Sequence, residues 1–237
     1  MLIFAHLFAG AILGVALCWF LKDNRVIPLC IAASVIPDFI DKPLGYILLP
    51  QTLDSGRTFF HALIAIAIIA ALAFLVWRFK KSRLVFFVAI AVLLHQLSDG
   101  MWHEPVTWFY PVLGPFQPYH YINYFGTYFW IEISSVSEWV FLCATLLVLS
   151  LGNTGSITLP VPPTVSRGRL AARSMVLKLL AILCLYSLWS GIMNIGNVMA
   201  PYNTPENDLI IGTVALAGFC TLVASRHVAA LSGGLKK

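Results

Sequence analysis

The chain has 237 residues, of which 59% are hydrophobic and only 11% are charged, and its mean hydropathy is +0.86. This composition excludes a soluble globular protein and indicates an all-α, polytopic membrane protein. The net charge of +5 does not indicate a nucleic-acid-binding surface, because the basic residues follow the apolar segments and belong to their connecting loops.

Seven apolar segments follow one another along the chain. Five of them approach the roughly 20 residues that a membrane-spanning helix needs, and two are shorter. In chain order they cover residues 2–21, 26–40, 58–79, 84–98, 129–151, 174–196 and 209–225, the second and fourth being the short ones. We therefore predict a helical bundle of about seven transmembrane helices that forms a single domain, residues 1–237.

The basic residues predict the orientation of this bundle. Lysines and arginines follow the first, third, fifth and seventh segments, whereas the opposite side has little besides Lys42 and Arg57. Cytoplasmic loops concentrate such residues, so we expect the N-terminus outside and the C-terminus in the cytoplasm. No basic residue precedes the first segment, which favours a retained helix over a cleaved signal peptide.

Two stretches interrupt the apolar pattern. Residues 100–128 are rich in Trp, Tyr, Phe and Pro, and such residues favour the headgroup layer of a membrane. We predict an interfacial loop there, on the outer side and bordering the functional site. Residues 152–168 contain several Gly and Pro and predict a flexible cytoplasmic connection.

Ionisable residues interrupt the apolar segments, where they are costly and usually functional. The predicted topology places seven of them in one layer near the outer face: His6, Asp38, Asp41, His61, His95, Asp99 and Glu138. Residues three or four apart share a helix face. This spacing relates Asp38 to Asp41, His95 to Asp99, Arg57 to His61, and Ser134 to Glu138.

Imidazoles and carboxylates drawn from five helices are ligands typical of Zn²⁺, and carboxylate-rich positions also suit Mn²⁺. We therefore predict that these seven residues bind one or two divalent ions, with zinc ahead of manganese. Asp38 or Glu138, where it is not a ligand, is predicted to act as general base. Arg57 is predicted to hold a phosphate or to stabilise developing negative charge. Two alternatives stay open: His6 would form a hydrogen bond in helix packing, and Glu138 would be a protonated or serine-paired carboxyl inside the bundle.

The other candidates also have structural alternatives. Asp38 follows a proline and would then simply end a helix. Asp41 would pair with Lys42 at the surface, and Arg57 would pair with Asp54 or Asp38. These alternatives predict separate, solvated contacts rather than one shared cluster.

Four motifs follow one another in the first 112 residues: Ile36-Pro37-Asp38-Phe39-Ile40-Asp41-Lys42-Pro43, Gly56-Arg57-Thr58-Phe59-Phe60-His61, His95-Gln96-Leu97-Ser98-Asp99 and Trp108-Phe109-Tyr110-Pro111. With His6 ahead of them, they resemble the membrane-bound metal-dependent hydrolases of the YdjM type. The resemblance implies an integral protein of the plasma (inner) membrane with hydrolase activity. The sequence departs from the family pattern at Asp41, where Pro-Asp-x-x-Asp replaces Pro-Asp-x-Asp, and at Gly56, which replaces a common histidine.

The order of the candidate ligands is also similar to that in soluble zinc-dependent phospholipases C. The corresponding residues are His6, Asp38, His61, His95 with Asp99, His103 and Glu138. Ser134 stands where the last motif of those enzymes, H-x-x-x-E, has its histidine. This similarity implies hydrolysis of a phosphoester.

Taken together, these features predict a metal-dependent hydrolase that acts on a lipid or lipid-linked substrate at the outer membrane face. Two alternatives stay open. A proton- or metal-ion-coupled transporter would use the same intramembrane residues, although such sites usually lie near the midplane between inverted repeats. A non-catalytic scaffold would hold a structural metal whose ligands all come from the protein.

Overall fold

A computed structural model describes residues 3–120, 123–151, 164–194 and 204–234 of the protein. These residues form helices joined by turns, with no β-strand among them, so the predicted all-α class is confirmed. The helices are α1 (Ile3–Leu21), α2 (Val26–Pro43), α3 (Leu63–Lys80), α4 (Leu84–Ser98), α5 (Pro105–Trp108), α6 (Phe129–Ser134), α7 (Val136–Leu151), α8 (Thr164–Met193) and α9 (Pro205–Gly234).

The described helices support four or five of the seven predicted membrane spans. Four described helices are long and apolar enough to cross a membrane, namely α1, α3, α8 over Ser174–Met193 and α9 over Pro205–Ala224. A fifth span results if the bent pair of α6 and α7 counts as one. Helix α4 has only 15 residues, and α2 has two aspartates and a lysine near its C-terminal end. Each of the seven predicted segments contains a helix, but length and composition support four or five spans.

Helix α3 starts later than the sequence predicts. It begins at Leu63 rather than at residue 58, and Phe59–His61 form a separate 3-10 turn. The reason is a long-range interaction, because the Asp41 carboxylate accepts hydrogen bonds from the backbone N–H groups of this turn. Arg57 and His61 therefore do not share a helix face, contrary to the prediction from their spacing.

The segment predicted at residues 129–151 is interrupted at Ser135, which separates α6 from α7. Ser134 and Glu138 therefore belong to different helices, and their predicted common face is not observed. The break follows from two consecutive serines, since serine hydroxyls compete with the helical hydrogen bonds of the backbone. The hydroxyl of Ser134 bonds to the carbonyl of Ile131 at 3.1 Å.

The described residues form two compact groups. The first contains residues 9–18 and 25–129, in which α2 packs against α4, and α4 against α3. Its apolar core includes Cys30, Ala33 and Ala91. The turn that precedes α3 contacts α2, and His95 and Gln96 near the C-terminal end of α4 bond to the same turn, so three chain segments meet at one end of this group.

The second group contains residues 3–8 and 19–24 together with the described residues from 130 onward. Helix α8 packs against α9, and α7 packs against both. The core residues of this group are apolar: Cys143, Leu177, Leu180, Cys184, Ala215 and Leu222. Of the predicted cytoplasmic connection at 152–168, residues 152–163 lie outside the described residues, and α8 already begins at Thr164.

Candidate metal centre

Four side chains converge where α2, α4 and the turn before α3 meet: Asp38, His61, His95 and Asp99. One potential ligand atom from each lies within 4.8 Å of the other three. The Nε2 atom of His61 lies 3.1 Å from His95 Nε2, 3.3 Å from Asp99 Oδ2 and 3.7 Å from Asp38 Oδ1. All four residues are buried. The structure thus brings together four of the seven predicted ligands.

The two helices present their ligands through ordinary helical geometry. Helix α2 continues to Pro43, so Asp38 does not end the helix but lies more than one turn before its C-terminal end. Asp99 follows α4 directly with φ −77° and ψ −5°, which keeps it on the face of His95, as predicted from their spacing. Gly100 then adopts φ +66°, a left-handed conformation that glycine tolerates and that ends the helix.

The second nitrogen of each histidine has an acceptor as its partner. His95 Nδ1 lies 2.7 Å from the carbonyl oxygen of Ser34, and His61 Nδ1 lies 2.8 Å from Asp41 Oδ2. Carbonyls and ionised carboxylates only accept hydrogen bonds, so both Nδ1 atoms carry a proton, and in neutral rings both Nε2 atoms then present lone pairs. With neutral rings, two lone pairs and two carboxylates face one another, an arrangement that suits a cation.

This donor set fits a divalent transition-metal ion. Two imidazole nitrogens and two carboxylate oxygens are ligands that both Zn²⁺ and Mn²⁺ accept. The Nδ1 contacts of His61 and His95 match the second hydrogen bond that metal-bound histidines usually make, which fixes the ring and its tautomer.

Asp41 lies behind His61 rather than among the four clustered side chains. It is fully buried, and its carboxylate accepts three backbone N–H groups of the turn before α3 at 2.9–3.2 Å, as well as His61 Nδ1. It therefore orients His61 and shapes the turn. The surface pair with Lys42 is not observed, because Lys42 Nζ lies 3.4 Å from Asp38 Oδ2 instead.

Two cations and four carboxylates surround the centre. Arg57 Nε lies 3.6 Å from Asp99 Oδ2, and the same guanidinium pairs with Glu104 rather than with Asp54 or Asp38. Lys42 is the second cation. The carboxylates are those of Asp38, Asp41, Asp99 and Glu104. With neutral histidines this set carries a net charge of −2, which one divalent ion neutralises.

Arg57 and Tyr119 form a polar contact outside the cluster. Burial lowers the pKa of the Arg57 guanidinium, but Asp99 and Glu104 raise it by more, so it stays above its ordinary value. Partial burial and a hydrogen bond with Glu104 raise the pKa of Tyr119 to about 12. At neutral pH, Arg57 is therefore a cation and the Tyr119 hydroxyl is a hydrogen-bond donor.

Sequence reasoning missed Gln96, which fastens the turn before α3 to α4. Its side-chain amide donates to the carbonyls of Phe60 and Ala62 at 2.9 and 3.1 Å, and its oxygen accepts from the indole N–H of Trp108 at 2.9 Å. A buried amide next to His95 in an apolar segment was a signal for this role, because such a group needs partners inside the protein.

His6 and Glu138 belong to the second group of residues. The Glu138 carboxylate accepts the backbone N–H groups of Phe4 and Ala5 at 2.7 and 3.1 Å, at the first turn of α1. His6 is buried and interacts electrostatically with Glu138. The predicted ligand roles of both residues, and the general-base role of Glu138, stay predictions.

A model of the YdjM inner membrane protein family matches residues 1–198. The chain belongs to this family. The match confirms the family predicted from the motifs of the first 112 residues and extends well beyond them. Family membership and the apolar helices make this YdjM-family member an integral inner-membrane protein. No curated protein and no solved structure matches the chain.

Proposed function

We propose that the protein is a membrane-embedded, metal-dependent hydrolase that acts on a lipid or lipid-linked phosphoester. The observation that carries the proposal is the buried cluster in which the Nε2 lone pairs of His61 and His95 face the carboxylates of Asp38 and Asp99. Burying these groups without a cation is costly. One divalent ion, zinc ahead of manganese, suits both the donor set and the charge of the surroundings.

The residues around the centre support phosphoester chemistry. A metal bound there lowers the pKa of a bound water and polarises a phosphoryl oxygen. Arg57 lies beside Asp99 with its side chain about a quarter exposed, at 25%, so it is placed to contact an anionic oxygen next to the cluster. Asp38 has one oxygen toward His61 and the other toward Lys42, which favours a ligand role over a general-base role.

A lipid substrate is supported by the loop next to the centre. Phe109, Val112 and Leu113 expose their side chains, Val112 by 84%. Exposed apolar and aromatic side chains of this kind fit the interfacial layer of a membrane. The distribution of basic residues predicts that this end of the helices lies at the outer face, where the substrate would approach.

A structural metal is the second candidate function of the site. Two histidines and two aspartates complete the four ligands of a tetrahedral zinc ion. If all four bind one ion, no position is left for a catalytic water. The two functions therefore differ in activity rather than in metal content.

The first test is the elemental metal content of detergent-purified protein, prepared without chelator or affinity-tag histidines. Wild type is expected to contain about one equivalent of a transition metal, and His61→Ala and Asp99→Ala are expected to lose it while they stay folded. His120→Ala is the matched control, because His120 is exposed and contacts Asp54 instead.

The second test measures hydrolysis of phospholipids and polyprenyl phosphates with the metal that the first test identifies. Hydrolysis that His61→Ala and Asp99→Ala abolish supports the enzyme. Retained metal without hydrolysis of any phosphoester lipid would favour the structural metal. Absence of metal, even after reconstitution with Zn²⁺ and Mn²⁺, overturns both and favours proton-linked transport.

A further inference from the structure

A cavity of about 110 Å³ lies next to the proposed centre, with room for several water molecules. Its walls include Glu104 and Tyr119, and both of these residues contact Arg57. Arg57 in turn lies 3.6 Å from Asp99. One side chain thus connects the cavity with the cluster, so a ligand can contact Arg57 and the cavity together.

Seven of the described residues line the cavity, and five of them have side chains that can form hydrogen bonds: His103, Glu104, Thr107, Gln117 and Tyr119. Among the described residues that line the cavity, none is a lysine or an arginine. Gln117 and Tyr119 are exposed, so the cavity opens to the protein surface. Its chemistry suits a small polar group that brings no negative charge.

Glu104 is the only carboxylate among the described residues that line the cavity. Its Oε1 atom pairs with Arg57, and the hydroxyl of Tyr119 donates a hydrogen bond to the same carboxylate. An ionised carboxylate only accepts hydrogen bonds, so a donor group or a cation is favoured in the cavity and an anion is repelled.

We propose that this cavity binds the head group of the substrate lipid and selects head groups that donate hydrogen bonds, through hydroxyls or an ammonium. The inference rests on the proposed function, in which Arg57 contacts the scissile phosphate. It narrows the substrate to a phosphodiester between a lipid and a small hydroxyl- or amine-bearing group. Lipid phosphates and lipid diphosphates that carry no head group lack such a donor and are poorer ligands.

Binding to metal-loaded, detergent-solubilised protein tests this selectivity. Phosphoethanolamine and glycerol 3-phosphate supply the ammonium and the hydroxyls, and inorganic phosphate lacks both. Wild type is expected to bind at least one of the first two about tenfold more tightly than inorganic phosphate, as one charge-assisted hydrogen bond predicts. Which of the two binds more tightly distinguishes an amine from a polyol head group.

Two variants test whether the cavity causes this preference. Glu104→Gln removes the charge and frees Arg57, so binding of inorganic phosphate is expected to strengthen while the tenfold preference disappears. Tyr119→Phe is expected to reduce the preference several-fold. Tyr128→Phe is the matched control, since Tyr128 is exposed and does not line the cavity; it should keep the preference. Metal content and thermal unfolding verify that each variant is folded.

The outcomes separate the head-group assignment from the proposed function. Equal binding of the three probes, no binding, or a preference that survives both Glu104→Gln and Tyr119→Phe overturns the assignment, even when lipids are hydrolysed. A preference that these variants abolish supports the assignment. If that preference is found without hydrolysis of phosphatidylethanolamine or phosphatidylglycerol, the cavity binds head groups but the hydrolase proposal fails.

Discussion

Buried carboxylates occur in both compact groups of the protein, but their neighbours differ. In the first group, Asp38 and Asp99 lie 3.3–3.8 Å from imidazole Nε2 atoms that present lone pairs. In the second group, Glu138 accepts two backbone N–H groups of α1. Asp208 accepts the hydroxyl of Ser190 at 2.9 Å. The first pair borders imidazole nitrogens as well as the cations of Lys42 and Arg57, whereas the other two accept hydrogen bonds from neutral donors.

This difference shows why an ionisable residue in an apolar helix is not by itself evidence for a metal. A carboxylate that faces N–H or O–H donors is satisfied by the protein. A carboxylate that also borders imidazole nitrogens is a candidate metal ligand. By this criterion we expect the metal site in the first group, and we expect Glu138 and Asp208 in the second group to stabilise a helix end and helix packing.

Asp41→Asn is expected to have the largest effect among the variants that test this comparison. The amide keeps the size of the side chain but removes the charge that fixes His61 Nδ1–H. Loss of such an outer partner typically weakens metal binding by about 10- to 100-fold. Competition with a chromogenic chelator measures the change in Kd. Asp54→Asn is the control, because Asp54 lies outside the cluster and should leave Kd unchanged.

An unchanged affinity in Asp41→Asn would contradict the role assigned to the Asp41 charge. A neutral acceptor at this position would then orient the His61 ring as well as the carboxylate does.

Glu138→Ala tests the role of a buried carboxylate in the second group. Its removal leaves two amides at the start of α1 without their acceptor, so the free energy of unfolding should fall by about 1–2 kcal/mol. Metal content should not change. Thermal unfolding in detergent and elemental analysis measure both quantities. Glu206→Ala, at an exposed position, provides the control for loss of a glutamate at a helix start.

Loss of metal in folded Glu138→Ala would contradict the difference between the two groups. It would mean that a residue of the second group contributes to the centre, as the similarity of ligand order to phospholipases C implies for Glu138. Retained metal with a lowered free energy of unfolding would mean that Glu138 only stabilises the start of α1.

Much of the site could be predicted from the sequence because polar residues are rare in apolar helices. His95 and Asp99 share a face through spacing alone, and Asp38 was recognised because a carboxylate near a helix end in hydrocarbon needs a partner. The all-α class followed from composition. These are local signals, and the structure brings the residues together as expected.

The features that the sequence did not predict depend on contacts between residues that are distant in the sequence. The turn before α3 exists because Asp41 binds its amides, a contact that helical periodicity cannot reveal, so His61 was wrongly placed inside a span. Length and composition support four or five of the seven predicted spans, because α2 has charges where it meets the centre and α4 is short. Gln96 was overlooked because its partners are backbone carbonyls distant in the sequence.

Trp108→Phe is expected to have the smallest effect of the three variants. It tests whether residues of the aromatic loop support the metal site. Phenylalanine keeps an aromatic ring but removes the hydrogen bond to Gln96, so the free energy of unfolding should fall by about 1 kcal/mol and metal should be retained. Trp102→Phe is the control, because Trp102 is exposed. Metal binding that is weakened as much by Trp108→Phe as by Asp41→Asn would mean that Gln96 positions His61 as effectively as the charge of Asp41 does. The residues that support the metal site would then include Trp108 of the aromatic loop.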